Sequence, residues 1–213
     1  MVEMSQICVF DLDGTLVDSM SYFGKAMVSV LDDAGIKYGD DLVNYVTPLG
    51  YEKTAEYYVE LGVKKSVDEI VSIMKERLVY EYTNNIKLKS GVREFLEKKH
   101  KEGARLFVLT ASPHIVTDVC LKNNGVYHLF AKVWSVDDFG MPKTNIELFY
   151  KVAETIGCDR ADVNYFEDNL AAVRNALKAG YKVYGVKDKQ SENDVNEIKN
   201  ISSVYVNSFE ELV

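Results

Sequence analysis

The chain has 213 residues, which is enough for one large domain or two smaller ones with a buried core. Its hydrophobic fraction of 47% and charged fraction of 27% are ordinary for a globular protein. The net charge of −8 argues against general binding to nucleic acids or anionic membranes, both of which need a positive protein surface. A small phosphorylated ligand is compatible with this charge, because the local field at a site can oppose the net charge.

The cysteines and the N-terminus indicate the compartment. Cys8, Cys120 and Cys158 lie far apart and form no CxxC or Cys/His spacing, so neither a zinc site nor a disulfide framework is expected. The N-terminus has no basic start and no apolar stretch of signal-peptide length, and no window approaches a membrane span. We expect a cytoplasmic protein, a monomer or weak dimer, with no nucleic-acid or membrane partner.

The first predicted element is a short apolar strand, QICVF at residues 6–10. It runs straight into the stretch Asp11-Leu12-Asp13-Gly14-Thr15. Two carboxylates two residues apart repel each other, and burying either without a partner is costly. This pattern indicates that a cation neutralises the end of the strand. Asp18 and Ser19 follow where a helix should begin, and we interpret them as capping residues.

A helical insert follows the first strand. Three segments carry apolar residues at three- and four-residue steps: SMSYFGKAMVSVLDDAG, YEKTAEYYVELG and SVDEIVSIMKERLVYEYT. From residue 19 to about residue 89 there is no convincing strand. We therefore predict a helical domain of residues 18–87, inserted between the two parts of a core domain, residues 1–17 and 88–213.

Strands and helices alternate after the insert. The predicted strands are ARLFVL, AKVWSV, VNYF and YKVYGV. The predicted helices, each ending in a glycine that can serve as a C-cap, are GVREFLEKKHKEG, SPHIVTDVCLKNNG, NIELFYKVAETIG and NLAAVRNALKAG. In the second helix we expect Ser112 as the N-cap and Pro113 at the first helical position. The alternation predicts an α/β fold, a five-stranded parallel sheet with helices on both faces.

The residues that follow the strands are the candidate site residues, because ligands of open parallel sheets bind beyond the carboxyl ends of the strands. If the sheet is parallel, these residues gather at one edge although they are far apart in sequence. In strand order they are Asp11 and Asp13, then Thr110, Ala111 and Ser112, then Lys143, then Glu167 and Asp168.

This set of residues suits phosphoryl chemistry. Asp11 and Asp168 can share a hard divalent cation, and Mg²⁺ usually takes one or two carboxylates plus substrate phosphate. Lys143 adds positive charge, while Thr110 and the backbone N–H groups that open the next helix can hold phosphate oxygens. One carboxylate can attack phosphorus to form an aspartyl phosphate, and a second can act as general acid and base. We therefore expect Mg²⁺ as cofactor and a small phosphorylated substrate.

Four segments, in this order, resemble the four motifs of the haloacid dehalogenase (HAD) superfamily: DLDGTLVDS, LTAS, Lys143 and FEDN. The helical insert directly after the first motif resembles the cap of the phosphoglycolate phosphatase and β-phosphoglucomutase branch. The stretch FEDNLAAVRNALKAG resembles the fourth motif of that branch. The resemblance implies a Rossmann-like, HAD-like α/β core with an inserted α-helical cap domain.

The resemblance also implies roles for the acidic residues. Asp11 would be the nucleophile and a metal ligand. Asp13 would be the general acid/base, with its backbone carbonyl on the metal. Asp168 would be the acidic metal ligand, and Glu167 would support it from the outer shell or contact the cation through water.

The phosphate site would use Thr110 and Lys143, together with Leu12 and Ala111. The third motif of the family often reads Lys-Pro-x-Pro-Asp, whereas residues 143–147 read KTNIE. The lysine and an acid four residues later are present, but both prolines after the lysine are absent. The loop therefore keeps the charged residues of the family motif but lacks the two prolines that would make it rigid.

The second acid of the first motif, Asp13, reduces the number of reactions that the resemblance allows. Haloacid dehalogenases lack it and P-type ATPases have Thr there, so Asp13 indicates a phosphatase or a phosphomutase. In the β-phosphoglucomutase pattern a cap His lies twelve residues beyond the nucleophile, where this chain has Phe23. Hydrolysis of a phosphomonoester is therefore the favoured interpretation, and a mutase is the alternative.

Two further alternatives come from other classes of protein. A phosphorylatable receiver domain shares the acidic pocket, but its phosphorylated Asp follows a later strand and receivers lack the long insert. A non-catalytic phosphate-binding protein could keep the same fold. In the predicted turn TPLGYEK, Tyr51 and Lys53 are candidate substrate contacts, although an interhelical turn would explain the segment equally well.

Overall fold

The computed structural model describes residues 6–39, 41–46 and 49–213. The strands are β1 (Ile7–Phe10), β2 (Arg105–Thr110), β3 (Lys132–Ser135), β4 (Val163–Glu167), β5 (Lys182–Val186) and β6 (Val204–Val206). The helices are α1 (Met20–Ala34), α2 (Leu42–Val46), α3 (Gly50–Glu60), α4 (Val67–Asn84), α5 (Val92–Lys101), α6 (His114–Asn123), α7 (Ile146–Ile156), α8 (Leu170–Ala179) and α9 (Val195–Ile201). None of the helices in these ranges combines the length and the apolar character needed to cross a membrane.

The chain divides into two compact units. One, the sheet unit, runs up to Asp18 and resumes at Lys87, and it contains all six strands. The other, the helical unit, is Ser19–Ile86 and contains α1 to α4.

The sheet has the strand order β3-β2-β1-β4-β5-β6, and every neighbouring pair is parallel. β1 lies in the middle, with Ile7 opposite Arg105 of β2 on one side and Val163 of β4 on the other. This is the Rossmann-like order, in which the connections change direction beside the central strand and leave a crevice at its carboxyl end. The predicted fold class, a parallel α/β sheet with an inserted helical part, is confirmed.

The number of strands differs from the prediction, because β6 extends the described sheet to six. β6 has three residues, which is too short to show an alternating pattern, and it lies at the edge beside β5. Gly185 of β5 lets neighbouring segments approach closely, since a Cβ there would lie 2.6 Å from Cγ2 of Ile198 in α9.

Helices cover both faces of the sheet, as predicted. On one face Ile7 and Val9 join a cluster with the buried side chains of α7 and α8. On the other face Phe10 stacks on Phe166 with ring centroids 4.6 Å apart and meets the edge of Phe95 from α5 at 6.2 Å. Because successive residues of a strand point to opposite faces, the apolar run of β1 is buried on both sides.

The helical unit has its own core. Its largest buried side chains include Met27, Leu31, Tyr58, Ile70 and Met74. Ser19 occupies the N-cap position of α1, but its side chain accepts no hydrogen bond from the helix, so the predicted side-chain capping is wrong. The backbone of Ser19 is already helical, with φ −94° and ψ −20°, whereas a capping side chain usually needs an extended backbone.

Candidate active site

The end of β1 forms a tight turn around Asp11. Asp11 is 5% exposed, and its backbone N–H donates to the carbonyl of Phe166 at 2.9 Å. The backbone N–H groups of Leu16 and Val17 both donate to the carbonyl of Leu12, at 2.9 and 3.0 Å. The turn therefore holds the carboxyl group of Asp11 in a buried position at the centre of the sheet edge.

Gly14 allows this turn to approach the end of β4. Its φ of +80° lies in the left-handed region, and a Cβ there would lie 2.6 Å from Oδ2 of Asp168. The next residue, Thr15, donates from Oγ1 to Oδ1 of Asp168 at 3.0 Å. Only glycine fits this position without displacing the Asp168 carboxylate.

Glu167 organises the end of β4 by accepting four hydrogen bonds. Its Oε1 accepts from the backbone N–H groups of Asp168 at 3.1 Å and Asn169 at 3.0 Å. Its Oε2 accepts from the hydroxyl of Tyr165 at 2.6 Å and from Nζ of Lys143 at 2.9 Å. Both carboxylate oxygens of Glu167 therefore accept hydrogen bonds from protein groups. This arrangement suits a residue that positions its neighbours better than it suits a direct metal ligand.

Lys143 links the two strand ends. Its ammonium donates to Oδ1 of Asp11 as well as to Glu167. Burial by itself would lower the pKa of Lys143, but the carboxylates of Asp11 and Glu167 raise that pKa above its usual value. The lysine therefore stays charged, and it neutralises only part of the acidic cluster around it.

The loop that carries Lys143 is held without the family's prolines. The carbonyl of Lys143 accepts from Nδ2 of Asn175 at 3.0 Å. The N–H of Asn145 donates to the carbonyl of Pro142 at 2.9 Å, and the Asn145 side chain caps α7 by accepting from the N–H of Glu147 at 3.0 Å. Hydrogen bonds thus supply the order that the two missing prolines would otherwise give.

Three carboxylates converge where a cation could bind. Asp11, Glu167 and Asp168 are buried, and each offers an oxygen within 4.8 Å of the others. Burial, and next the charge of Glu167, raise the pKa of Asp11 to about 8 and the pKa of Asp168 well above its usual range. Buried carboxylates that repel each other, with hard oxygen ligands at short range, fit Mg²⁺.

Asp13 lies beside this cluster, and its carboxylate faces the loop after β2. Its Oδ2 accepts from Oγ of Ser112 at 2.6 Å, and Oγ1 of Thr110 lies 3.5 Å away. Ser112 was predicted to cap α6, and this prediction is wrong, because the helix begins at His114 with Pro113 in the N-cap position. The hydroxyl of Ser112 is bound to Asp13 instead.

Leu12 and Ala111 present backbone donors at the same edge. In the part of the chain that the structure describes, neither backbone N–H donates a hydrogen bond. The hydroxyl of Thr110 already accepts from the N–H of Ser112 at 3.0 Å, which fixes its orientation. These groups could therefore serve as donors to an anion.

Tyr51 and Lys53 both lie in α3 of the helical unit. Tyr51 is half-buried, with its ring centroid 6.4 Å from that of Phe23 and 5.4 Å from Nζ of Lys75. Lys53 is exposed. Residues 47 and 48 of the same segment lie outside the described residues. The role of Tyr51 and Lys53 as substrate contacts stays a prediction.

Sequence reasoning missed two residues that support the acidic cluster. Thr15 binds Asp168, and Tyr165 binds Glu167. Tyr165 could have been found from strand periodicity, since residues two apart in a strand point to the same side. Thr15 carried a weaker signal, a hydroxyl between Gly14 and the apolar pair Leu16 and Val17.

Comparisons with known proteins identify the family of this chain. The family model of haloacid dehalogenase-like hydrolases matches residues 8–186. The chain belongs to the haloacid dehalogenase-like hydrolase family. The predicted resemblance is thereby confirmed, as is the predicted enzyme class, a phosphoric monoester hydrolase of this family.

Individual relatives are distant but cover most of the chain. Pyrophosphatase PpaX of Bacillus velezensis is 27% identical over 187 residues, 84% of this chain and 81% of that protein. Phosphoglycolate phosphatase of Aliivibrio fischeri is 27% identical over 156 residues, 68% of this chain and 67% of that protein. The crystal structure of CbbY from Rhodobacter sphaeroides in complex with phosphate has a TM-score of 0.78 and 19% identity, and it covers 98% of this chain and 96% of that chain. This last similarity shows the fold alone.

Proposed function

We propose that this chain is a Mg²⁺-dependent phosphatase that hydrolyses a small phosphorylated metabolite through an aspartyl phosphate on Asp11. The observation that carries the proposal is the buried cluster of Asp11, Glu167 and Asp168, with Lys143 bound to two of its three members. Asp11, Asp168 and the backbone carbonyl of Asp13 would hold Mg²⁺. The bound cation would supply the positive charge that lets a phosphate dianion approach these carboxylates.

Lys143, Thr110 and the backbone N–H groups of Leu12 and Ala111 would bind the phosphoryl oxygens. Donors aimed at the site of developing negative charge stabilise a transition state more than a ground state. Lys143 contributes a full positive charge, because its pKa lies above its usual value. Glu167 would keep that ammonium in place through the hydrogen bond of 2.9 Å.

The chemistry would run in two steps. A carboxylate oxygen of Asp11 attacks phosphorus, the bond from phosphorus to the leaving oxygen breaks, and that oxygen takes a proton from Asp13. Asp13 then takes a proton from water, the water oxygen attacks phosphorus, and the bond between phosphorus and Asp11 breaks. Inorganic phosphate leaves, and both aspartates return to their starting forms.

Phe23 favours water over a second sugar hydroxyl as the phosphoryl acceptor. A mutase of this branch would have an acid–base His at that position, whereas Phe23 is an aromatic side chain that packs on Tyr51 within the helical unit. Two of the matching relatives are named for hydrolysis of pyrophosphate and phosphoglycolate, which supports a small phosphorylated substrate. The proposal keeps residues 18–87 as a cap domain, Tyr51 and Lys53 as substrate contacts, and a cytoplasmic monomer or weak dimer.

The test is phosphate release from a panel of small phosphorylated metabolites, including pyrophosphate, phosphoglycolate and sugar phosphates, with and without Mg²⁺. Asp11→Asn should abolish release. Asp13→Asn should lower kcat by about 10²–10⁴, because it removes the general acid and base. Asp18→Asn is the matched control: it changes an exposed acid in the same segment and should leave kcat unchanged.

Two results would contradict the proposal. Full activity of Asp13→Asn would remove that residue from the role of acid and base. Unchanged rates in EDTA would remove Mg²⁺ from the reaction. If a folded, Mg²⁺-bound enzyme moved phosphate between two hydroxyls of one sugar and released none, the mutase would replace the phosphatase.

A further inference from the structure

Lys89 joins two loops of the sheet unit through its ammonium group. Nζ donates to the carbonyl of Gly14 at 2.5 Å, to the carbonyl of Lys187 at 2.7 Å and to Oδ2 of Asp188 at 3.0 Å. An ammonium has three hydrogens, so each has an acceptor. The Lys89 side chain is 19% exposed and that of Asp188 is 6% exposed, which distinguishes this ion pair from an ordinary solvated one.

Both ends of this link are fixed by further hydrogen bonds. The backbone N–H of Lys89 donates to the carbonyl of Leu16 at 2.9 Å, beside the turn that contains Gly14. Oδ1 of Asp188 accepts from the N–H of Gln190 at 3.0 Å, and its carbonyl accepts from Oγ of Ser191 at 3.2 Å. The ammonium therefore connects two segments that are each ordered, and it can restrain one against the other.

Gly14 connects the Lys89 ammonium to the acidic residues of the candidate active site. Its Cα packs against Asp168, where a Cβ would lie 2.6 Å from Oδ2. On one side Thr15 donates to Asp168 at 3.0 Å, and on the other Asp13 carries the carboxylate bound by Ser112 at 2.6 Å. A displacement of the Gly14 carbonyl would move both neighbours.

We propose that Lys89 is a positioning residue of the candidate active site, which acts by holding the Gly14 carbonyl and thereby the turn from Asp13 to Thr15. Its effect on catalysis rests on the proposed function, whereas its effect on the turn does not. Loss of a residue that hydrogen-bonds directly to a metal ligand lowers metal affinity or activity by about 10–100-fold. Lys89 acts one step further out, through Gly14, so we expect an effect at the lower end of this range.

Amide hydrogen exchange tests the effect on the turn without any turnover. The N–H of Gly14 donates to the carbonyl of Val17, and the N–H of Val17 donates to the carbonyl of Leu12, both at 3.0 Å, so these two amides report on it. Lys89→Met should increase their exchange rates by about tenfold relative to wild type, roughly the factor that corresponds to losing one hydrogen bond from a charged group. Lys99→Met is the matched control, because Lys99 is 20% exposed and pairs with Glu102 at 2.9 Å elsewhere in the sheet unit.

Steady-state kinetics on the folded variants tests the effect on catalysis. Lys89→Met should lower kcat by about tenfold or more with little change in KM, and Lys89→Arg should recover part of the loss because it keeps the charge and the donors. Lys99→Met should match wild type in both measurements. A residue with a merely structural role would lower the melting temperature and leave kcat unchanged.

The outcomes separate this proposal from the proposed function. Unchanged exchange at Gly14 and Val17 in folded Lys89→Met would overturn the positioning role, and so would faster exchange with unchanged kcat. A wild-type enzyme that hydrolyses nothing would refute the phosphatase, while the exchange comparison would still decide whether Lys89 holds the turn. If Lys89→Met does not fold, Lys89→Gln, which is shorter and polar, takes the same measurements.

Discussion

Gly14 is the residue at which the backbone and the acidic cluster constrain each other most closely. Its positive φ excludes most side chains on conformational grounds, and the Asp168 carboxylate excludes a Cβ on steric grounds. These two effects can be separated by comparison with Gly157, whose φ of +76° is similar but whose Cβ would have no described atom within 4 Å.

Gly157→Ala should therefore lower the free energy of unfolding by about 1–2 kcal/mol, the conformational cost alone. Gly14→Ala should lower it further, by about another 1–3 kcal/mol for forced overpacking, and should also impair catalysis. Urea unfolding followed by the fluorescence of Trp134, the single tryptophan and a residue of β3, measures the sheet unit directly. An equal decrease in the free energy of unfolding in the two variants would show that the Asp168 carboxylate can move away from a Cβ at position 14 without an energetic cost.

The buried thiols of Cys8 and Cys120 should lower the stability of the fold at alkaline pH. Burial raises the pKa of each to about 12. The unfolded thiols ionise near pH 8.5 while the folded ones keep their protons, so the free energy of unfolding should fall as pH rises from about 8.5 toward 12. Urea unfolding at about pH 7.5 and pH 9.5 checks this. The double variant Cys8→Ala/Cys120→Ala should show a smaller decrease, and an identical decrease would assign the effect to other groups.

At the scale of the element, α4 shows how a local signal starts a helix. Ser66 accepts from the N–H of Glu69 at 3.3 Å, and the Glu69 side chain accepts from the N–H of Ser66 at 2.7 Å, which completes a capping box. The hydrogen bonds from Ser66 also hold the pKa of the Glu69 carboxyl below its usual value. The first turn of the helix thus satisfies two of its free backbone donors by itself.

Ser66→Ala should lower the free energy of unfolding of the helical unit by about 1 kcal/mol, the usual cost of losing an N-cap. Ser72→Ala, an exposed change inside the same helix, should be neutral or slightly stabilising because alanine has the higher helix propensity. Far-UV circular dichroism during thermal unfolding compares the two. If Ser72→Ala cost as much as Ser66→Ala, the capping box would not explain the loss.

At the scale of the whole molecule, the acidic cluster exists only because β1 and β4 are neighbours. Asp11 and Asp168 are far apart in the sequence, and the pairing of Phe10 with Phe166 brings them to one edge. Their mutual repulsion opposes folding until a cation neutralises it. The folded sheet unit should therefore bind Mg²⁺ more tightly than the unfolded chain does.

Mg²⁺ should raise the free energy of unfolding of the sheet unit, by about 2.7 kcal/mol at a hundredfold excess over its Kd. Asp168→Asn should abolish most of this increase. Asp162→Asn is the matched control, since Asp162 is an exposed acid just before β4 and at the opposite end of that strand. Urea unfolding with added MgCl₂ or EDTA gives the values. An equal response in both variants would place the stabilising ion elsewhere.

In the loop with Lys143, the family motif predicts the position of the lysine but not the conformational order of the loop. The sequence located the lysine, because its charge and its order among the motifs are visible in one dimension. The missing prolines left the order of the loop undetermined. Asn175 supplies that order from α8, and no local pattern around residue 143 could have indicated it.

By itself the sequence predicted five of the six described strands, seven of the nine described α-helices, the parallel α/β class and the order of the four motifs, because hydrophobic periodicity and the acid pair are local properties. Only the tertiary structure decided that Ser112 binds Asp13, that Thr15 and Gly14 shape the position of Asp168, and that β6 completes the described sheet. It also decided that Lys89 joins two distant loops. These contacts depend on which segments become neighbours on folding. Local patterns in a single sequence do not indicate contacts between residues that are far apart along the chain.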